Sequence, residues 1–137
     1  MRKSFSRLGL ALAALALLSP VAGAGTADLS TGDFTAVGTA THLGRWKNSG
    51  NITISGDGPI LDVSGTVTFT TRDGDTLDAL IIDGALDVSG MPFLGVAEMV
   101  IVGGTGRFED ATGSGLMLVT QLPDGSFTFT VDGVIDY

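Results

Sequence analysis

The chain has 137 residues, with 15 Asp and Glu against 7 Lys and Arg, one His and no Cys. A net charge of −8 excludes nucleic acid and acidic membrane surfaces as partners, because like charges repel. Without cysteine there are no disulfides and no thiolate metal sites, and one histidine cannot build a histidine-rich site, so no metal and no cofactor are expected.

Arg2, Lys3 and Arg7 form a basic start, Leu8 to Leu18 is apolar and uncharged, and Ser19-Pro20 interrupts the run. Ala22, Gly23 and Ala24 then have the small-x-small form of a signal-peptidase site. The apolar run is shorter than the ~20 residues of a spanning helix. Residues 1–24 therefore read as a signal peptide, and residues 25–137 as one secreted domain, extracellular or periplasmic, with no membrane span. All the acids and only Arg45, Lys47, Arg72 and Arg107 lie in that domain, giving it a net charge of −11.

Residues 25–32 are small and polar and read as a loose leader. Turn signals follow at Asn48-Ser49-Gly50, Asp57-Gly58-Pro59, Asp73-Gly74, Ser89-Gly90, Gly103 to Gly115, and Pro123-Asp124-Gly125. Asx-Gly pairs between apolar runs favour tight hairpins, since both central residues tolerate positive φ. The runs between them predict strands over 33–46, 51–56, 60–72, 76–88, 92–102, 114–122 and 126–136. No window keeps a 3.6-residue period, so no substantial helix is expected. The fold class that follows is all-β, an antiparallel closed barrel of seven to eight strands, because closure removes exposed edges.

Phe127, Phe129, Val131 and Ile135 share one face of the last strand, and Thr128, Thr130 and Asp132 the other. Leu61, Val63, Val67 and Phe69 alternate with Asp62, Ser64, Thr66 and Thr68 in the same way. By contrast, Leu80-Ile81-Ile82, Val100-Ile101-Val102 and Leu116 to Val119 are apolar on both faces, which predicts an outer patch that another surface covers.

Several motifs lead nowhere. Val100 to Gly106 starts like a dinucleotide turn, but Glu109 stands at the third-glycine position and the following glycines cannot continue a helix. Asp73 to Asp78 spaces carboxylates like a calcium loop without a full ligand set, and reads as a hairpin turn.

His42 is the one side chain that titrates near neutrality. Uninterrupted alternation puts it on the inward face with Phe34, Ala36, Gly38 and Ala40. Those small residues predict an apolar cavity at the barrel end that carries His42, lined also by Phe69, Phe127 and Phe129. His42, Arg45 and Glu98 are the candidates for any catalysis; a structural, hydrogen-bonded role is the competing reading for each.

Gly103, Gly104, Thr105, Gly106, Arg107 and Phe108, continuing to Gly115, resemble the GGTGRF-x-x-ATGSG segment of bacterial exported proteins. Gly38 to Trp46 looks like a second signature of that group. These proteins are similar to the allene oxide cyclase barrel, itself related to the dirigent barrels. The resemblance implies an eight-stranded lipocalin-like (calycin-like) barrel, often trimeric, with a cavity for a small apolar molecule. It also implies, as an alternative to simple binding, a cyclase or isomerase; the dirigent-like pattern has a cation near Thr112, where this chain has none. The expected function is an exported barrel that binds a small apolar ligand or serves in surface interactions. A small outer-membrane barrel is a further alternative, suggested by alternate Phe129, Val131, Ile135 and the terminal Tyr137.

Overall fold

The computed structural model describes residues 15–17, 21–28, 30–40 and 43–137. The strands are β1 (Leu15–Leu17), β2 (Val21–Ala27), β3 (Asp33–Ala40), β4 (Gly44–Ser55), β5 (Ile60–Thr71), β6 (Thr76–Asp87), β7 (Phe93–Gly104), β8 (Thr112–Gln121) and β9 (Ser126–Asp136). Each of β2 to β9 pairs antiparallel with the next, and β9 pairs back onto β2. Eight strands thus close a barrel, and β1 pairs with the last residues of β9. The described helical content is one 3-10 turn, Gly106–Phe108. No helix among the described residues is long and apolar enough to cross a membrane.

The structure departs from the sequence reading in three places. Residues 25–27, read as leader, belong to β2, and that strand begins upstream at Val21. The stretch 33–46 is two strands: β3 ends at Ala40, and β4, antiparallel to it, begins at Gly44 with φ of +68°. Asn48-Ser49-Gly50, read as a turn, lies mid-strand in β4. Gly50 is there for space: a Cβ would come within 2.5 Å of the Phe34 ring.

Alternate hairpins meet at two barrel ends. The β3–β4, β5–β6 and β7–β8 connections lie at one end, and the β2–β3, β4–β5, β6–β7 and β8–β9 connections at the other. The first end is packed shut. Leu77, Phe108, Val131 and Ile135 have no exposed surface there, and Val21 is 1% exposed. Phe108 is the plug, supplied by the 3-10 turn and covered by Arg107, whose guanidinium carbon is 4.7 Å from the ring centroid. The Tyr137 ring lies beside it at 5.2 Å.

The loop carrying Phe108 is pinned to the β5–β6 turn. Thr76 N donates to Thr105 Oγ1 at 3.0 Å, and Arg107 Nε lies 3.7 Å from Asp75 Oδ2. Gly106 has φ of +59°, and a Cβ there would run into the Asp75 carboxylate. Only glycine suits both demands.

Outside, the apolar residues of β6 to β8 form the expected patch. Leu80, Val96, Val102, Leu116 and Leu118 are exposed, and Glu98 stands among them, opposite Ile82 and Leu116.

Candidate ligand cavity

The inward residues of β4 are Trp46, Asn48, Gly50, Ile52 and Ile54, in strict alternation with exposed neighbours such as Arg45, Lys47 and Ser49. Trp46 is 4% exposed and crosses the interior below mid-height. Its ring meets Phe69 edge-on, with centroids 4.9 Å apart and planes at 82°, and tilts against Phe129 at 5.7 Å. Gly38, the cross-strand partner of Trp46, is small because this indole needs the volume. A Cβ on Gly38 would lie 2.7 Å from the indole, and one on Gly23 would lie 2.5 Å away.

The space therefore opens at the other end of the barrel from the β3–β4 connection. A cavity of about 90 Å³ sits above the Trp46, Phe69 and Phe129 layer. Its walls come from Phe34, Ile52, Val63, Val67, Ile81, Met99, Met117, Val119 and Phe127. Phe34 meets Phe127 edge-on at 6.2 Å, so aromatic edges as well as faces line it. Phe34, Ile52, Val63, Met117 and Val119 point inward yet are only half-buried, which marks this end as the mouth.

Two polar side chains interrupt the apolar wall. Gln121 is 5% exposed and donates from Nε2 to the Gly125 carbonyl at 3.1 Å, closing the β8–β9 hairpin. Asn48 is 7% exposed, and its Oδ1 has no hydrogen-bond partner. A buried amide oxygen without a partner is costly and uncommon in folded proteins. The Trp46 Nε1 donor, one inward position along β4, also has none.

The mouth is ringed by acids. Asp28, Asp87 and Asp124 occupy three of its four hairpins, each clamped by the serine two residues on. In every clamp Ser Oγ donates to the carboxylate at 2.6 Å and Ser N at 2.9 Å. The serine hydroxyl first, and the amide second, hold all three carboxyls below their ordinary value of 3.8.

Phe34, Phe69, Phe127 and Phe129 line the cavity, which opens at the end away from the β3–β4 connection. Ala36, Gly38 and Ala40 face inward but lie outside the cavity lining; Gly38 packs under Trp46, and Ala36 against Gly25. Arg45 is exposed on the outer face of β4, and Glu98 on that of β7, so the barrel wall separates both from the cavity. His42 lies outside the described residues. Gly103 and Gly104 end β7, and Thr105 to Phe108 form the plug loop. Asn48 escaped the sequence reading because Asn48-Ser49-Gly50 looked like a turn; alternation outward from Trp46 would have found it.

The described lining offers apolar surface, aromatic edges and two amides, and no titratable side chain. Fold and site together define a small closed antiparallel barrel with an interior apolar cavity and an acidic mouth. The chain matches no family model, no curated protein and no solved structure.

Proposed function

We propose that this is an exported barrel whose cavity binds one small, largely apolar molecule. The observation that carries the reading is a cavity walled by apolar side chains and two amides, one of which, Asn48, has an Oδ1 buried without a partner. A ligand donor there would remove the penalty of an unmade hydrogen bond, and the apolar body would leave water. Binding fits better than turnover, because asparagine and glutamine do not exchange protons at neutral pH. Residues 103–115 support kinship with the allene oxide cyclase-like barrels, where a shaped cavity is the working part. Export rests on the basic start, apolar run and small-x-small site of residues 1–24. Alternate outward Thr, Ser, Asp and Asn on β3 to β5 fit an aqueous setting and not a lipid-facing wall. The outer patch over β6 to β8 supports association between copies of the chain.

A neutral apolar fluorescent probe tests the central claim. It should bind saturably with one site per chain. Gly95→Leu should weaken it at least tenfold, since a Cβ at Gly95 meets only one contact closer than 3.4 Å and the longer side chain would enter the cavity. Binding that never saturates, or that ignores Gly95→Leu, would end the proposal.

A further inference from the structure

Asp28, Asp33, Asp57, Asp62, Asp87 and Asp124 lie in or beside the mouth hairpins. The four cations among the described residues, Arg45, Lys47, Arg72 and Arg107, all lie toward the plugged end. Acids such as Asp73, Asp75, Glu109 and Asp110 lie at the plugged end too, but there they share the surface with cations, and the mouth has acids alone among the described residues. No described cation offsets the mouth acids locally, and the serine clamps keep three of them ionised well into acid. Among the lining residues that include Phe69, Phe129 and Met99, Asn48 holds an acceptor, Oδ1, that is buried without a partner.

We infer that the cavity selects amines: an apolar, aromatic body carrying an ammonium at the end left in the mouth and a neutral hydrogen-bond donor at the end buried on Asn48. This rests on the proposal that the cavity binds a small molecule, and adds its class and its direction of entry. A carboxylate fails in either direction. Head-out, it meets six acids in a mouth with no described cation; head-in, it loses its water among aromatic walls and neutral amides, with no cation in the described lining to offset its charge. An ammonium buried head-in would have one uncharged acceptor for three donors and would lose most of its hydration. Head-out, it keeps its water and sits in the field of the acid ring. The buried end then meets Asn48 Oδ1, which a hydroxyl or neutral N–H satisfies and a C–H does not. Edge-on Phe34 and Phe127 and the Trp46 layer suit a flat ring between the two ends.

Three probes of one size separate these claims: tyramine, phenethylamine, and para-hydroxyphenylpropionate. Calorimetric titration of the full chain at low ionic strength should rank tyramine first. The carboxylate should bind at least about tenfold more weakly, and that gap should narrow at molar salt, where the screening length falls to about 3 Å. Phenethylamine, which lacks the hydroxyl, should bind about fivefold more weakly than tyramine, the worth of one net hydrogen bond. Asn48→Leu should abolish the difference between the two amines and leave the preference over the carboxylate. The salt dependence needs no variant, so it stands even if Asn48→Leu does not fold. Equal or tighter binding of the carboxylate at low salt would overturn the inference. So would a tyramine advantage that survives Asn48→Leu. If the neutral fluorescent probe binds and the amine preference is missing, only the ligand class fails. If neither binds, the cavity proposal itself has failed.

Discussion

Trp46 meets Phe69 edge-to-face with ring centroids 4.9 Å apart, and this pair divides the barrel into a packed half and a hollow half. Below it the interior is filled by Leu77, Ile101, Phe108 and Ile135; above it the cavity begins. Removing the indole should therefore cost stability and enlarge the cavity together. Trp46→Ala should lower unfolding free energy by about 3–5 kcal/mol, the range for truncating a buried aromatic. Gly38→Ala should also destabilise, since its Cβ would stand 2.7 Å from the indole. Urea denaturation followed by circular dichroism measures both, and a neutral Gly38→Ala would show that both the indole and the β2 backbone at Ala22 and Gly23 shift to admit a methyl.

The strands and their inward faces were legible because period-two alternation is a strong local signal. Phe127, Phe129 and Val131, or Val67 and Phe69, can be assigned from neighbours alone. The end that is hollow was not legible, because it depends on a contact between distant residues. Gly38 reads as empty space until Trp46 is known to come from the next strand and fill it. Placing Asn48-Ser49-Gly50 within β4 and not in a turn also exchanged a surface asparagine for a buried one. The start of the barrel was hidden for a different reason: Ala22, Gly23 and Ala24 suit a peptidase and suit a strand packed under an indole equally well.

That double reading makes a sharp test. Val21 is 1% exposed, opposite Val131, and Ala22 to Ala24 pair with both β3 and β9. A chain beginning at Gly25 keeps only the last three residues of the seven-residue closing strand β2. Compared with a chain beginning at Val21, it should be less stable by at least about 2 kcal/mol, from the buried valine alone. Thermal melts of the two purified forms decide this. Equal melting temperatures would mean that β2 is dispensable upstream of Gly25.

The motif at 103–108 is predicted to act on folding and not on ligands. Phe108→Ala removes a side chain with no exposed surface and should cost about 3–5 kcal/mol. Gly106→Ala should destabilise as well, since φ of +59° and the Asp75 carboxylate both oppose a Cβ. Because the plug lies beyond Trp46 from the cavity, probe affinity measured on the folded fraction should change by less than about threefold, a coupling under 1 kcal/mol. A larger loss would place the loop in the binding site.

The serine clamps predict a direction for acid stability. Asp28, Asp87 and Asp124 have folded pKa values lowered by Ser30, Ser89 and Ser126. A lowered folded value contributes stability that is present above the unfolded pKa and lost as pH falls through the folded one. Replacing the three serines by alanine should raise those carboxyl pKa values toward 3.8 and shrink that contribution. Carboxyl-carbon NMR titration should show each aspartate moving upward when its own serine is removed. The clamp variants should be less stable than the unaltered chain near neutrality, and the difference should vanish as pH falls below the folded carboxyl values, where both carry the same protons. An unmoved Asp124 in Ser126→Ala would show that the clamp does not hold in solution.

Association through the outer wall is the last expectation, and Glu98 makes it specific. Its carboxylate stands exposed between Ile82 on β6 and Leu116 on β8, with Leu80, Val96 and Leu118 nearby. An apolar patch with one acid at its centre is poor at non-specific sticking and demands a partner surface that can hydrogen-bond the acid. If copies of the chain pair through this wall, Leu118→Asp should add a second charge to the contact and dissociate them. Sedimentation velocity at micromolar concentration should show an oligomer for the unaltered chain and a monomer for Leu118→Asp. Val37→Asp is the matched control, because Val37 is 62% exposed on β3, across the barrel from the patch. It should leave the oligomer intact. A monomeric unaltered chain, or an oligomer broken equally by Val37→Asp, would rule out the β6–β8 wall as the contact.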